Sequence, residues 1–349
     1  MEELIREFHN TITKIKLSKD FCIVFVYNDV DDLDYLHAAE GITPSELQEI
    51  KNSFLDLTEK LFLYKYEKDF TENIMMLKKK FEYILVYSMA QNTKGIGRRS
   101  LIPLLCEHFD LINVGNDSYT SFLGGNKQIM YKIIEKELRE FIPETHFISS
   151  KADIDFAINS FIKQKKSFLI KPNSESASIG VKKIDFQNFD FEEFKKNILA
   201  DLKVYDKLIV QEYIAGKEIE APVIHFKDSY IVPGCIEINL PFGAEILTAN
   251  TIFTENYSFS TFDSPQSEII KKISIKCAEL LGFSAISRID FRIDENNIYI
   301  IDITPNPTVS SMSSTYYAFK NHFENSLNIN FQLLIFTSMI KHKLFEPPF

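Results

Sequence analysis

Three largely apolar segments near the start of the chain constrain its fold more than any other feature. Phe21-Cys22-Ile23-Val24-Phe25-Val26-Tyr27, Tyr83-Ile84-Leu85-Val86-Tyr87 and Leu111-Ile112-Asn113-Val114 lack the alternation of half-exposed strands. Such runs mark strands buried on both faces. After the first run, Thr43 suits a helix N-cap, Pro44 the first helical position, and Glu46 completes a capping box. Leu47, Ile50, Phe54, Leu57 and Leu61 recur on one helical face. The loop 91–99 leads into a second helix from Ser100. This βαβαβ order predicts a parallel sheet with helices on its faces.

The pattern changes after Gly115. A helix is predicted over 126–139, Pro143 breaks the chain, and an amphipathic helix follows near 153–164. The remainder is strand-rich, at 168–171, 181–184, 208–213, 219–226 and 229–232. A helix over 266–281, a hairpin over 287–304 and a helix near 328–341 complete the chain. A chain of 349 residues exceeds one small core. The expected units are an α/β unit at 1–115, a smaller unit at 116–205 and an α+β unit at 206–349.

A net charge of −10 offers no basic field for a nucleic acid. A nucleotide needs only a local positive pocket, so it is not excluded. Cys22, Cys106, Cys235 and Cys277 are scattered, without zinc or disulfide spacing. Met1-Glu2-Glu3-Leu4-Ile5-Arg6 is too polar for a signal peptide, and no apolar run approaches the roughly 20 residues of a membrane span. A cytoplasmic protein is expected, with no membrane and no nucleic-acid partner.

Two constellations carry chemistry. Phe168-Leu169-Ile170 runs into Lys171-Pro172-Asn173-Ser174-Glu175-Ser176-Ala177-Ser178-Ile179-Gly180, and Val181-Lys182-Lys183-Ile184 runs out. A strand thus presents a lysine beside a loop of small hydroxyls and backbone N–H groups suited to phosphates. Alone, the stretch is equally an ordinary Ser-rich turn. In the second, Ser287-Arg288-Ile289-Asp290-Phe291-Arg292-Ile293 alternates strictly, and Asp302 and Thr304 share a face of the partner strand. A two-residue turn sends Asp290 and Asp302 to opposite faces; a three-residue loop, 295–297, pairs them. Paired carboxylates need a cation between them, and oxygen ligands with open positions suit Mg²⁺. The alternative is a surface ion pair of Asp290 with Arg288 or Arg292. Gly95-Ile96-Gly97-Arg98-Arg99-Ser100 opens a helix, so Arg98 and Arg99 are candidates for a substrate carboxylate, against a plain loop. His225 and Cys106 read as packing residues.

The order of these elements resembles the ATP-grasp fold, closest to its D-alanine–D-alanine ligase-like branch, over about residues 83–314. That resemblance implies an N-terminal Rossmann-like (pre-ATP-grasp) domain at 1–115, a small lid subdomain at 116–205 and a C-terminal subdomain at 206–349. It implies ATP and Mg²⁺ as cofactors. Lys127 and Lys171 resemble phosphate-binding lysines, and Glu175, Ser176, Ser178 and Gly180 a mobile phosphate loop. Gln211 or Glu212 resembles the residue reading the adenine amino edge, Tyr213 and Ile214 the hinge, and Glu218 the ribose-binding glutamate. Arg288 resembles the arginine that stabilises the transferring phosphate, with Ser178 and Asn250 as further catalytic candidates. Asp290, Asp302, Thr304 and Asn306 are the implied metal ligands, and Ser311 and Ser313 candidate substrate contacts.

The implied reaction is ATP-dependent amide formation through an acylphosphate, on amino acids or a small peptide, by a chain for which a homodimer is one assembly. Thr304 stands where the family carries asparagine, Asp302 where it usually carries glutamate, and no Lys or Arg occurs between Asp228 and Glu268. These departures motivate a second reading, a catalytically weakened ATP-binding sensor or scaffold. The acidic loop 28–40 motivates a third, a ligase acting on a peptide or protein terminus. Val26-Tyr27-Asn28-Asp29-Val30-Asp31-Asp32 replaces the Gly-rich loop of D-alanine ligases, which points to a different amino acid or a peptide as substrate.

Overall fold

The computed structural model describes residues 1–17, 20–32, 40–93, 95–188, 190–294, 297–323 and 328–342. Lys94 of the 91–99 loop, residues 33–39 of the acidic loop, and Glu295 and Asn296 of the expected turn lie outside them. The chain opens with α1 (Glu2–Leu17), β1 (Phe21–Val26), α2 (Pro44–Leu55), β2 (Leu61–Tyr64), α3 (Glu67–Lys78), β3 (Tyr83–Ser88), α4 (Leu101–Phe109) and β4 (Ile112–Val114). Thr43 and Glu46 form the expected capping box. The helix stops at Leu55, however, and Leu61 begins β2 instead of extending the helical face. The Thr58 hydroxyl accepts the Lys60 N–H at 3.1 Å, a local bond that competes with helix.

The strands pair in the order β2-β1-β3-β4, all parallel. β1 feeds two cores: Phe21, Ile23 and Phe25 pack on one face, Cys22, Val24 and Val26 on the other. The unbroken apolar run is thus a strand covered on both sides.

The chain continues with α5 (Ser118–Gly124), α6 (Lys127–Leu138), β5 (Thr145–Ile148), α7 (Lys151–Gln164), β6 (Phe168–Pro172), β7 (Lys182–Ile184), α8 (Phe191–Tyr205) and β8 (Leu208–Glu212). The second sheet is antiparallel, in the order β5-β8-β6-β7. Its pairing extends to Glu212, past the expected boundary at 205. Then come β9 (Lys217–Phe226), β10 (Ser229–Ile231), β11 (Ile236–Asn239), α9 (Ala249–Phe253), β12 (Ser258–Thr261), α10 (Pro265–Leu281), β13 (Ile286–Ile293), β14 (Ile298–Thr304), α11 (Ser314–Lys320) and α12 (Ile329–Lys341). The third sheet runs β12-β11-β9-β13-β14, with β10 paired to β9.

Two features join these layers. Asn116 is fully buried: its Nδ2 donates to the carbonyls of Ile286 and Pro305, and its Oδ1 accepts the N–H groups of Ser284 and Ala285. It thereby fixes the end of the first sheet to the ends of β13 and β14. The last helix, α12, returns to the first sheet, where Phe331 and Phe336 join Phe8, Phe25 and Phe54 in one core. Phe331 packs edge-on to Phe54 and Tyr87. Phe331→Ala should therefore lower stability by about 3–5 kcal/mol in urea denaturation, the cost of a large buried cavity. A loss below about 1 kcal/mol would show that α12 docks without contributing to this core.

Candidate active site

All three sheets border one cavity of about 450 Å³. Its charged wall depends on the β13–β14 hairpin. Ile293, Arg292 and Phe291 face Ile298, Tyr299 and Ile300, and then the register shifts so that Asp290 faces Asp302. The expected carboxylate pair is therefore present, but a β-bulge creates it and not a three-residue loop. Ile301 is the extra residue, opposite no residue of β13, and its carbonyl is spent elsewhere. It accepts the Lys171 Nζ at 2.7 Å and the Tyr131 hydroxyl at 2.7 Å.

Lys171, on β6, is buried and also donates to the Oε1 of Gln211 at 2.8 Å. Burial pushes its ammonium down to about 8, although Asp302 opposes the shift. Gln211 is fully buried; its amide nitrogen, Nε2, donates to the hydroxyls of Tyr131 and Thr145. It orients Lys171 and does not border the cavity, whereas Glu212, Tyr213 and Ile214 do. The two candidates for the adenine edge are thereby separated. Glu212 also pairs with Lys166 at 2.8 Å, and Lys183 lies 4.4 Å from the centre of the Tyr213 ring.

Lys127 begins α6, where Asn126 caps the helix. Its Nζ donates to both oxygens of Asp302, at 2.6 and 2.7 Å. Burial opposes ionisation of Asp302, but Lys127 and Lys171 outweigh it and hold the carboxyl below its usual range. Arg288 grips Asp290 through Nε at 2.7 Å and Nη2 at 2.8 Å. Burial nonetheless keeps Asp290 above the usual carboxylate range, against the pull of Arg288. The ion pair weighed from the sequence thus exists, but it is buried and borders the cavity. Arg292 holds Glu218 at 2.8 Å and the Gly216 carbonyl at 2.9 Å. Gly216 needs its missing side chain, since a Cβ would lie 2.0 Å from the Ile293 oxygen.

The 174–180 loop is bonded to the N-terminal unit through residues outside its strands. Arg98 donates to Glu175 at 2.8 Å. Arg99 donates to Ser176 at 2.5 Å and to Glu40 at 2.6 Å, and Ser176 also donates to Glu40. Arg98 and Arg99, expected at a substrate carboxylate, are here engaged by the loop and by Glu40. Ala177 and Ser178 have φ of 48° and 55°, and Gly180 of 71°. Two consecutive non-glycine residues in the left-handed region carry strain of the kind found at ligand clamps.

The remaining candidates divide. Thr304 borders the cavity and faces Arg288 in the β13–β14 ladder. The Asn306 side chain also borders it, but accepts the Asn116 N–H at 2.9 Å and donates to Ser121 at 2.9 Å. Ser313 caps α11 from the cavity wall. Ser311 turns to Glu49, through its N–H at 2.9 Å and its hydroxyl at 2.8 Å. Asn250 is exposed on α9 and does not border the cavity.

Sequence reasoning missed Glu220. It faces Asp290 across β9 and β13, so Glu220, Asp290 and Asp302 form a row over three strands. The signal was present: the strand period of two puts Glu220 on the face of Glu218. Among the described residues no three His, Cys, Asp or Glu side chains are grouped as a metal cage. The donor chemistry still fits magnesium, which takes one or two carboxylates and completes its shell with phosphates and water.

A small antiparallel sheet carrying Lys171 beside a larger antiparallel sheet carrying Asp290 and Asp302, with both bordering one cavity, has the arrangement of an ATP-grasp enzyme that forms carbon–nitrogen bonds. Residues 150–325 match the family model described as the D-ala D-ala ligase C-terminus, and the chain belongs to that family. The D-alanine–D-alanine ligase of Thermotoga maritima is 19% identical over 270 residues, spanning 76% of this chain and 82% of that protein. That of Petrotoga mobilis is 29% identical over 150 residues, spanning 42% of this chain and 48% of that protein. The crystal structure of D-alanine–D-alanine ligase from Bacillus anthracis complexed with ATP shares the fold, with a TM-score of 0.70 and 15% identity, covering 93% of this chain and 99% of that one. The VanG D-Ala:D-Ser ligase of Enterococcus faecalis does so with a TM-score of 0.65 and 17% identity, covering 92% and 100%. The expected fold and the class of ATP-dependent carboxylate–amine ligase are borne out. No helix among the described residues is long and apolar enough to cross a membrane.

The lowered value of Lys171 gives a pH test. Its folded value, about 8, lies below the reference of 10.5, so the folded chain holds fewer protons between those limits. The penalty for burying the ammonium is complete below pH 8 and is relieved as pH rises to 10.5. Urea denaturation of wild type and Lys171→Met should show the wild type gaining relative stability across that window, on the order of 3 kcal/mol. A constant difference would mean that the buried lysine keeps its proton.

Proposed function

We propose that the chain uses ATP and magnesium to join the carboxylate of one amino acid or small peptide to the amine of another, in the cytoplasm. One observation carries this reading: Lys127, Lys171 and Arg288 meet Asp290 and Asp302 on a single cavity wall beside the 174–180 loop. In this reading Glu212, Tyr213 and Ile214 border the adenine and Glu218 the ribose. Lys127 and Lys171 receive the phosphates, and Arg288 meets the transferring group. Asp290 and Asp302 would hold magnesium, which would offset phosphate charge, with the Thr304 hydroxyl beside them.

The substrate carboxylate oxygen attacks the γ-phosphorus, the bond to ADP breaks, and an acylphosphate forms. A neutral amine then attacks the acyl carbon, phosphate leaves with the bonding electrons, and the amine proton passes to solvent. The residues contribute alignment and fixed positive charge, which are the main needs of phosphoryl transfer. The 174–180 loop excludes water that would otherwise hydrolyse the acylphosphate.

Purified protein with ATP, Mg²⁺ and a panel of amino-acid and dipeptide pairs should release ADP and phosphate only when both an acid and an amine are present. Lys171→Ala should abolish turnover with its circular dichroism unchanged. Turnover at the wild-type rate in that variant would remove Lys171 from the site, and a panel without ADP release, with ATP still bound, would favour the sensor reading. Asp290→Asn should raise the Mg²⁺ concentration needed for ATP binding about tenfold or more, as loss of a charged ligand does. Thr304→Asn should lower it; an unchanged titration would remove position 304 from the metal's surroundings.

A further inference from the structure

The strongest unassigned group is Glu220. It is 4% exposed, it borders the cavity, and burial raises its carboxyl above the usual range. One oxygen, Oε1, lies 3.0 Å from the Arg288 Nη2, and the other, Oε2, accepts the Ser314 hydroxyl. Ser314 opens α11, directly after its capping residue Ser313. Arg288 therefore has one edge gripped from two strands, by Asp290 and by Glu220. None of these bonds among the described residues uses its Nη1.

We propose that Glu220 is the positioning residue of Arg288, anchoring its Nη2 so that the guanidinium keeps its aim when Asp290 is engaged by a metal. This rests on the function proposed above. Asp290 cannot do both tasks: a carboxylate gripped at both oxygens by Arg288 has its best donor geometry committed. Glu220 faces Asp290 on the side opposite Asp302, so it lies outside the space between the two paired carboxylates. Ser314 fixes the Glu220 carboxylate to α11, so the anchor does not depend on the metal ligands. An arginine released from both carboxylates has several rotatable bonds to reorder, and transferring-group contacts are sensitive to displacements of about 1 Å.

The test uses ADP, Mg²⁺ and aluminium fluoride, which together mimic the transferring phosphoryl group, with affinities read by calorimetry on the intact chain. Wild type should bind ADP more tightly when aluminium fluoride is present. Glu220→Ala should lose about tenfold of that added affinity, the scale of one charged hydrogen bond, while its affinity for ADP with Mg²⁺ alone stays within about twofold. Glu220→Gln, which keeps an acceptor and the side-chain volume, should lose less and fold if the alanine variant does not. Arg288→Ala should lose the added affinity as well, and Glu220→Gln combined with Arg288→Ala should lose no more than Arg288→Ala alone, because two residues acting through one contact are not additive. Additive losses, or a loss of ADP affinity equal to the loss with aluminium fluoride, would overturn the positioning role. A wild type that binds no ADP would instead overturn the function on which the proposal rests.

Discussion

One extra residue in β14 sets the site. Without the bulge at Ile301, Asp302 would move to the opposite face of the sheet from Asp290, because strand side chains alternate. With it, the two carboxylates face each other and a backbone carbonyl leaves the ladder. That carbonyl is bonded by Lys171 from another sheet and by Tyr131 from α6. The same irregularity thus pairs the acids and ties the lid sheet to the sheet that carries them. Bulges are common beside active sites for this reason: they re-aim side chains at little cost to the rest of the sheet.

The first sheet is held to this centre by contacts that span most of the chain. Asn116 satisfies four backbone groups at the ends of β13 and β14, and α12 completes a core begun by α1 and β1. One face of the first sheet is accordingly covered by residues of 1–115 alone, and the other recruits α12. Arg98, Arg99 and Glu40 extend the connection to the 174–180 loop. The position of the loop is thereby tied to the N-terminal unit through ion pairs.

Much of this was legible in the sequence because it is local. The buried strands, the Thr43 capping box and the helix over 265–281 follow from periodicity and turn chemistry. The facing of Asp290 and Asp302 does not, since either face remained open until the register was known. The bulge was not legible: the sequence offered only loop length as a way to bring the acids together. Its partners Lys171 and Tyr131 are 130 and 170 residues from Ile301. Gln211 and Glu212 alternate on one strand, and only the sheet's placement tells which faces the cavity and which supports Lys171. Asn306 and Ser311 have the side chains of ligands, yet they serve the turn at Asn116 and the contact with Glu49, partners remote in sequence. The short elements α5, β11, β12 and α11 have too few residues for a period to emerge.

The charges of the site constrain what it can accept. Lys127 is bonded at both oxygens of the partly exposed Asp302, and Arg288 at both oxygens of the buried Asp290. Removing a partner of the buried pair leaves a charge uncompensated, a loss of about 3–5 kcal/mol, and less where solvent reaches Asp302. A free polyanion that drew Lys127 and Arg288 to itself would strand two carboxylates. A free cation that drew the carboxylates would strand the lysine and the arginine. A ligand carrying both signs, a nucleotide with its divalent cation, replaces each internal pair with a new one and leaves neither uncompensated. The paired arrangement therefore disfavours either component alone, and that discrimination comes from the pairing and not from the shape of the cavity.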